Sequence, residues 1–167
     1  RYKGKILSAK IFKQGGKWFV SIAVELTQIE KLKPKTGLSI GVDLGVSNLA
    51  TLSNGEVIPS NAPLKRQLAK LRRLNKSFSR KKKGSQNREK AKAKLSRLHY
   101  KIACLRKNNL HQVTTDLVTR FDVIAIEDLN VKGMLRNRKL ARAISDMGFY
   151  EFKRQLIYKA KQHGKSV

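Results

Sequence analysis

Residues 38–50 read LSIGVDLGVSNLA, and up to Leu44 they alternate without a break. Leu38, Ile40, Val42 and Leu44 fall on one side of the chain, and Ser39, Gly41, Asp43 and Gly45 on the other. That is the period of a β-strand with one face in a core. The polar side carries a carboxylate, Asp43, with a glycine two residues away in each direction. Glycines at those places leave room for a bulky group to approach the acid.

Downstream, a turn at Val46-Ser47-Asn48 leads into Leu49–Ser53, and Asn54-Gly55 is a tight-hairpin signal into Glu56-Val57-Ile58. Three short strands therefore follow one another as an antiparallel meander, ended by Pro59–Pro63. A fourth is expected at VIAIEDLNV, 123–131, where Val123–Ile126 is a continuous apolar run closed by two acids. Such runs are typical of strands buried on both faces in a parallel arrangement, and the long helical excursion that precedes this one is what a parallel crossover requires. If strands 38–44 and 123–127 are parallel neighbours, Asp43 and Glu127 meet at one end of the sheet. Asp128 faces the other way and is expected to cap the loop Leu129–Met134.

Between these strands the period becomes helical. Leu64, Leu68, Leu71, Leu74 and Phe78 form one stripe. After the basic break 79–88, Ala91, Leu95, Leu98, Ile102 and Leu105 form a second, extendable through Val113 and Leu117. Two apolar seams joined by a short loop predict an antiparallel helical hairpin, with Cys104 buried in it. Further helices are expected at 139–145 and 149–161, the second stopped by Gly164. Upstream, 2–12 and 17–26 are expected to be paired strands about Gln14-Gly15-Gly16, with Trp18, Val20, Ile22, Val24 and Leu26 on one face. Two strands alone are marginal in water, so the hairpin is expected to belong to a larger sheet or barrel. TQIEKLKPKTG, 27–37, reads as a linker.

The charge balance names the partner. Among 167 residues, Lys and Arg outnumber Asp and Glu by 38 to 11, for a net charge of +27. Such self-repulsion points to a polyanion, with nucleic acid ahead of an anionic membrane, and no apolar run is long enough for a spanning helix. Between Lys65 and Lys107 stand eighteen Lys or Arg and a single acid, Glu89. Charge runs are commonly just solvated faces, but those mix signs to gain i,i+4 pairs; this one does not. Lys65, Arg66, Arg72, Arg73, Lys76, Arg80, Lys81, Lys82, Lys83, Arg88, Lys94, Arg97 and Lys101 are the expected phosphate contacts. Phe78 and Tyr100 are the only aromatics in that stretch, which favours backbone tracking over base stacking. The lone cysteine excludes an intramolecular disulfide and fits a reducing, intracellular setting.

Of the other acids, Glu25 and Glu30 edge the linker, Glu56 is in a turn and Glu89 sits among lysines, while Asp116, Asp122, Asp146 and Glu151 are expected to be solvated. Only Asp43 and Glu127-Asp128 stand in or at the end of apolar strands. Two adjacent carboxylates either share a proton or hold a cation. Facing a phosphodiester, the cation expected is Mg²⁺, or Mn²⁺ in its place, which takes oxygen ligands and keeps waters. Two such ions can activate a water and steady a departing oxygen. His99, His111 and His163 form no ligand cluster, and GVDLGVSNLAT is not a Walker loop.

GVDLGVSNLATL (41–52), the basic run LRRLNKSFSRKKKGSQNREKAKAKLSRLHYKIACLRKNNLHQVTTDLV (71–118) and IAIEDLNVKGM (124–134) resemble, in order and spacing, the TnpB (OrfB) proteins of insertion sequences, relatives of the small type V CRISPR nucleases. The resemblance implies a Mg²⁺-dependent, RNA-guided DNA endonuclease with guide RNA and target DNA as partners, working in the prokaryotic cytoplasm at the nucleoid. It implies an α/β fold: an RNase H-like (RuvC) mixed sheet with a basic helical hairpin inserted between its third and fourth strands, preceded by a β-hairpin from a wedge-type β-barrel. The boundaries it gives are 1–30 for the hairpin, 31–37 for a linker, 38–62 for the first three core strands, 63–119 for the basic hairpin and 120–167 for the fourth strand and its helices. By motif match Asp43 is the first catalytic acid and Glu127 the second. The family's zinc ribbon and third catalytic Asp would follow Val167, and its recognition domain would precede Arg1, so the expectation is a central, incomplete piece that does not cut alone. Two other readings fit parts of the sequence: a nucleic-acid-binding module without chemistry, and an actin- or Hsp70-type ATPase, to whose first phosphate strand IGVDLGVSN is similar.

Overall fold

In the computed structural model, which describes residues 4–25 and 37–167, the first elements are two antiparallel strands, β1 (Lys5–Gln14) and β2 (Lys17–Glu25). Gly15 and Gly16 join them with φ of 60° and 82°, the left-handed pair of a two-residue hairpin turn. Leu26 and the predicted linker up to Thr36 lie outside the described residues. The chain divides into two compact units, Arg1–Lys31 with Gln67–Ala103 and Leu32–Arg66 with Cys104–Val167.

In the first unit the hairpin leaves Trp18, Val20 and Ile22 exposed on one face. From the other face Phe19 stacks on Phe12 at 5.6 Å between ring centroids and meets Tyr100 at 5.8 Å. The Tyr100 ring also occupies the place a side chain at Gly15 would need, its Cγ standing 2.5 Å from an ideal Cβ there.

The second unit holds a four-stranded sheet of β3 (Ser39–Leu44), β4 (Asn48–Leu52), β5 (Val57–Pro59) and β6 (Val123–Ile126), in the order β5-β4-β3-β6. The meander is antiparallel, and β6 lies parallel to β3 with Ile40 opposite Ile124 and Val42 opposite Ile126. The sheet is therefore mixed and the architecture α/β, as expected. The burial of β6 differs from expectation. Ile124 is fully buried, but Val123 and Ala125 of this edge strand are exposed, because they lie on the sheet face that is also open at Ser39 and Asp43 of β3. Ser166 partly shields that edge: its carbonyl accepts from Ile124 N at 3.0 Å and its N–H donates to Asp122 O at 2.9 Å.

Helix α1 (Pro63–Ser79) and helix α2 (Gln86–Arg120) lie between β5 and β6 in the chain and run from one unit into the other. Ser85 caps α2, its Oγ accepting from Arg88 N at 3.2 Å. The Arg88 guanidinium closes the basic break, donating to Phe78 O and Lys81 O at 3.1 and 2.9 Å and covering the Phe78 ring. The 35 residues of α2 span about 52 Å. Ala91, Leu98 and Ile102 are buried as the stripe predicts, but Leu105 and Cys104 are exposed, which corrects the expected burial of that cysteine. A strict seven-residue spacing drifts about 20° per heptad around a straight helix, so Leu105, two heptads past Ala91, has turned off the packed face. Further on, Leu110, Leu117 and Val118 are buried with Ile40, Val42, Leu44, Leu49 and Leu52 of the sheet in one apolar core.

That core is completed by α4 (Ala141–Met147) and α5 (Phe149–Gln162), which follow a one-turn α3 (Val131–Met134). The predicted loop 129–134 thus contains a helical turn. Its cap is Asn130, whose side chain accepts from Gly133 N at 2.9 Å; Asp128 does not fill that role. Gly148, at φ 73°, separates α4 from α5, and a side chain there would press on Leu110, whose Cδ1 lies 3.2 Å from an ideal Cβ.

Two acids expected to be solvated are structural. Asp146 is buried and accepts from Leu64 N at 3.1 Å and Lys65 N at 3.0 Å, so it satisfies the orphan donors at the start of α1 from more than eighty residues away. Arg106 holds it in turn, Nη2 on its Oδ1 at 3.0 Å and Nε on its backbone carbonyl at 3.0 Å. Asp122 is buried against Lys165, 3.1 Å away, and accepts from Gly37 N. Spacing alone does not show that an acid will be recruited by a helix end so distant in sequence.

Candidate active site

Asp43 is the fifth residue of β3, on its exposed face, and pairs with Thr51 of β4. Glu127 directly follows β6 and is also exposed. Since Val42 lies opposite Ile126 in the parallel pair, the next step along both strands brings Asp43 and Glu127 side by side, at the carboxyl ends of neighbouring strands and on one face. Both line an open cleft of about 480 Å³, together with Gly41, Thr51, Ser53 and Ala125. The carboxyl ends of parallel strands are where open α/β sheets bind ligands.

The neighbouring glycines act differently from their sequence reading. At Gly41 the space is shared with Ser53, whose Oγ accepts from Gly41 N at 3.0 Å and whose N–H donates to Gly41 O at 2.9 Å. At Gly45 the constraint is the Asn48 carbonyl, 3.2 Å from where a Cβ would sit. These glycines tighten the turn and the strand pairing next to the acid. Thr51 and Ser53 were not singled out from the sequence; their place opposite β3 in the meander is the signal that could have found them.

The acids in this unit differ in what they face. Asp128 ion-pairs with Lys153 at 2.6 Å, and that ammonium holds its carboxyl below the usual range. Glu151 takes both arms of Arg154, at 2.7 and 2.8 Å, and is held down to about 2, chiefly by that guanidinium. Glu56 is lowered by Arg120, which also reaches Asp116 at 2.9 Å. Behind them Lys159 is buried, donating to His111 O, Thr114 Oγ1 and Thr115 Oγ1 at 2.7–2.8 Å, and burial lowers its pKa. Asp43 and Glu127, by contrast, face the open cleft. A hard cation favours such carboxylate oxygens with space left for waters, and Asp43 and Glu127 are the two that offer them to this cleft. Among the described residues no set of three His, Cys, Asp or Glu side chains is grouped to hold a metal.

Of the predicted phosphate contacts, Lys65, Arg66, Arg72, Arg73, Lys76, Arg80, Lys82, Lys83, Lys94, Arg97 and Lys101 are exposed along α1, α2 and the break between them. Lys81 is half-buried, and Arg88 is engaged by the two carbonyls and the ring described above. No helix among the described residues is long and apolar enough to cross a membrane.

A family model described as "Probable transposase" (OrfB_IS605) matches residues 21–138. A Streptomyces pristinaespiralis protein called "Putative RNA-guided DNA endonuclease" is 40% identical over 154 residues, covering 92% of this chain and 38% of its own length. The Escherichia coli K12 protein called "Putative RNA-guided DNA endonuclease InsQ" is 36% identical, covering 98% of this chain and 44% of its own length. A mimivirus "TnpB-like protein L79" is 25% identical over 77% of this chain. The chain spans less than half the length of the two bacterial relatives. With the family match running from β2 past the Asp43 and Glu127 strands, and bacterial relatives matching nearly end to end, the chain belongs to the TnpB (OrfB) family of transposases.

Proposed function

We propose that this chain carries part of a RuvC-like nuclease core of RNase H type, and that the complete protein is an RNA-guided DNA endonuclease. The observation that carries the reading is the side-by-side placement of Asp43 and Glu127 on adjacent parallel strands in one open cleft. The relatives' names supply the substrate class, and the net charge of +27 supplies the means of holding two polyanions, guide RNA and target DNA.

In this mechanism Asp43 and Glu127 would offer carboxylate oxygens to Mg²⁺, which would supply positive charge at the phosphodiester and Lewis-acid activation of water. The chain's own work is positioning. The β3–β6 register fixes the two acids relative to each other, and the Gly41–Ser53 exchange of hydrogen bonds holds the β3–β4 strand ends beside them. The exposed cations of α1 and α2 bind the phosphate backbone without reading sequence, leaving target choice to base pairing with the guide.

The test is cleavage of guide-matched DNA by the complete protein. Asp43→Ala and Glu127→Ala each abolish cutting while leaving RNA and DNA binding within about twofold of the parent, because neither acid lies among the basic side chains that dominate affinity. Full cleavage by either variant overturns the assignment. A binding-only reading draws on the absence of a third grouped ligand among the described residues; it is sustained if the complete, guide-loaded protein binds its target and never cuts.

A further inference from the structure

Beside the carboxylate cleft lies a second groove in the same unit, of about 430 Å³, and Ile126 and Glu127 line both. Its walls are unlike those of the first. Leu44, Phe149, Ile157 and the ring of Tyr150 give an apolar and aromatic lining. Tyr150, the second residue of α5, is 71% exposed, and Ile157 is 49% exposed. A volume within the roughly 300–1,000 Å³ of ordinary ligand pockets suits a flat, nucleotide-sized guest.

The charges at its rim define that guest. Lys153 is matched by Asp128 and Arg154 by Glu151, so those cations are already balanced by carboxylates. What remains in the lining is Glu127, shared with the carboxylate cleft, then neutral surface and one further ammonium, Lys132. A neutral aromatic body bearing a single phosphate fits this pattern, and a run of phosphates does not. Because Ile126 and Glu127 line both, an occupant of this groove adjoins the carboxylate cleft.

We infer that this groove is a subsite for one nucleobase of the DNA strand being cut, with the Tyr150 ring as its stacking platform and Lys132 taking the adjoining phosphate. The inference rests on the nuclease reading for the identity of the strand. A base seated on Tyr150 is turned out of its pair, so the site selects an unpaired nucleotide next to the scissile phosphate. Stacking on an aromatic side chain tolerates any base, so the subsite senses strandedness and not sequence. Tyr150 is a binding residue here, with no part in proton transfer or metal binding.

The experiment is photocrosslinking of this chain to single-stranded DNA containing 5-iododeoxyuridine, with the attachment site read by mass spectrometry. The expected result is a crosslink at residue 150 that persists in Tyr150→Phe, falls at least about fivefold in Lys132→Ala, and is lost when the same oligonucleotide is annealed to its complement. In the complete protein, Tyr150→Ala slows cleavage at least about fivefold, as the loss of one stacked base implies, and Tyr150→Phe restores it. Crosslinks confined to other aromatics such as Trp18 or Tyr100, or equal crosslinking of residue 150 to duplex, overturn the proposal. The two readings fail separately. Asp43→Asn leaves the crosslink at Tyr150 unchanged if the subsite is right, whereas cutting by that variant removes the nuclease assignment without touching the crosslink.

Discussion

The hairpin and the four-stranded sheet are written in the same period and end in opposite environments. In β3, Ile40, Val42 and Leu44 are 5%, 3% and 9% exposed; in β2, Trp18, Val20 and Ile22 are 70%, 59% and 53% exposed. Alternation assigns residues to a face but does not say what covers it. The sheet is covered because the α2 residues Leu110, Leu117 and Val118 and the α5 residues Phe152 and Leu156 return to it from far along the chain. Charge divides the same way. Eight of the 11 acids fall in the sheet unit, although the hairpin unit holds more than half of the 38 basic residues. Carboxylates are concentrated in one unit, and the densest run of cations in the other.

The sharpest way to break this contrast is at Asp146. Asp146→Ala leaves Arg106 and the first amides of α1 without their buried acceptor. It should lower stability by about 3–5 kcal/mol, read as a loss of the main unfolding transition in urea. An unchanged transition would mean that the sheet unit does not depend on this anchor. Next in size is a matched pair of truncations. Leu52→Ala, in the buried face of β4, should cost about 2–5 kcal/mol, whereas Trp18→Ser should stay within about 0.5 kcal/mol despite removing the larger side chain. Equal costs would show that the exposed hairpin face is covered in solution. The smallest effect concerns the other unit. Replacing Arg72, Arg73 and Lys76 together with Ala should flatten the slope of log K against log salt by about 0.7–0.9 for each phosphate that is no longer neutralised, with the melting transition unmoved. An unaltered slope would make these residues a solvated face only.

Much of the framework of the candidate site was legible in the sequence because it is local and periodic. The Asp43 strand, the Asn54-Gly55 hairpin and the apolar run ahead of Glu127 each carry their signal within about ten residues, and the parallel pairing follows from the length of chain between them. What could not be read depends on distant partners. Asp146 looks like any polar helix residue until Leu64 and Lys65 are placed above it. Asp122 looks solvated until Lys165 closes over it, and Cys104 looks buried until the drift of a straight helix is followed to Leu105. The groove at Tyr150 is of the same kind, joining the end of β3, the turn after β6 and the start of α5. No window along the chain contains all three.

The central claim is that Asp43 and Glu127 together grip a divalent ion. Calorimetric titration of this chain with Mn²⁺ tests it directly. The account predicts saturable binding that is lost in Asp43→Asn and, separately, in Glu127→Gln, with the melting temperatures of both variants unchanged. Mn²⁺ binding that survives both substitutions, or no binding by the parent chain, would contradict it.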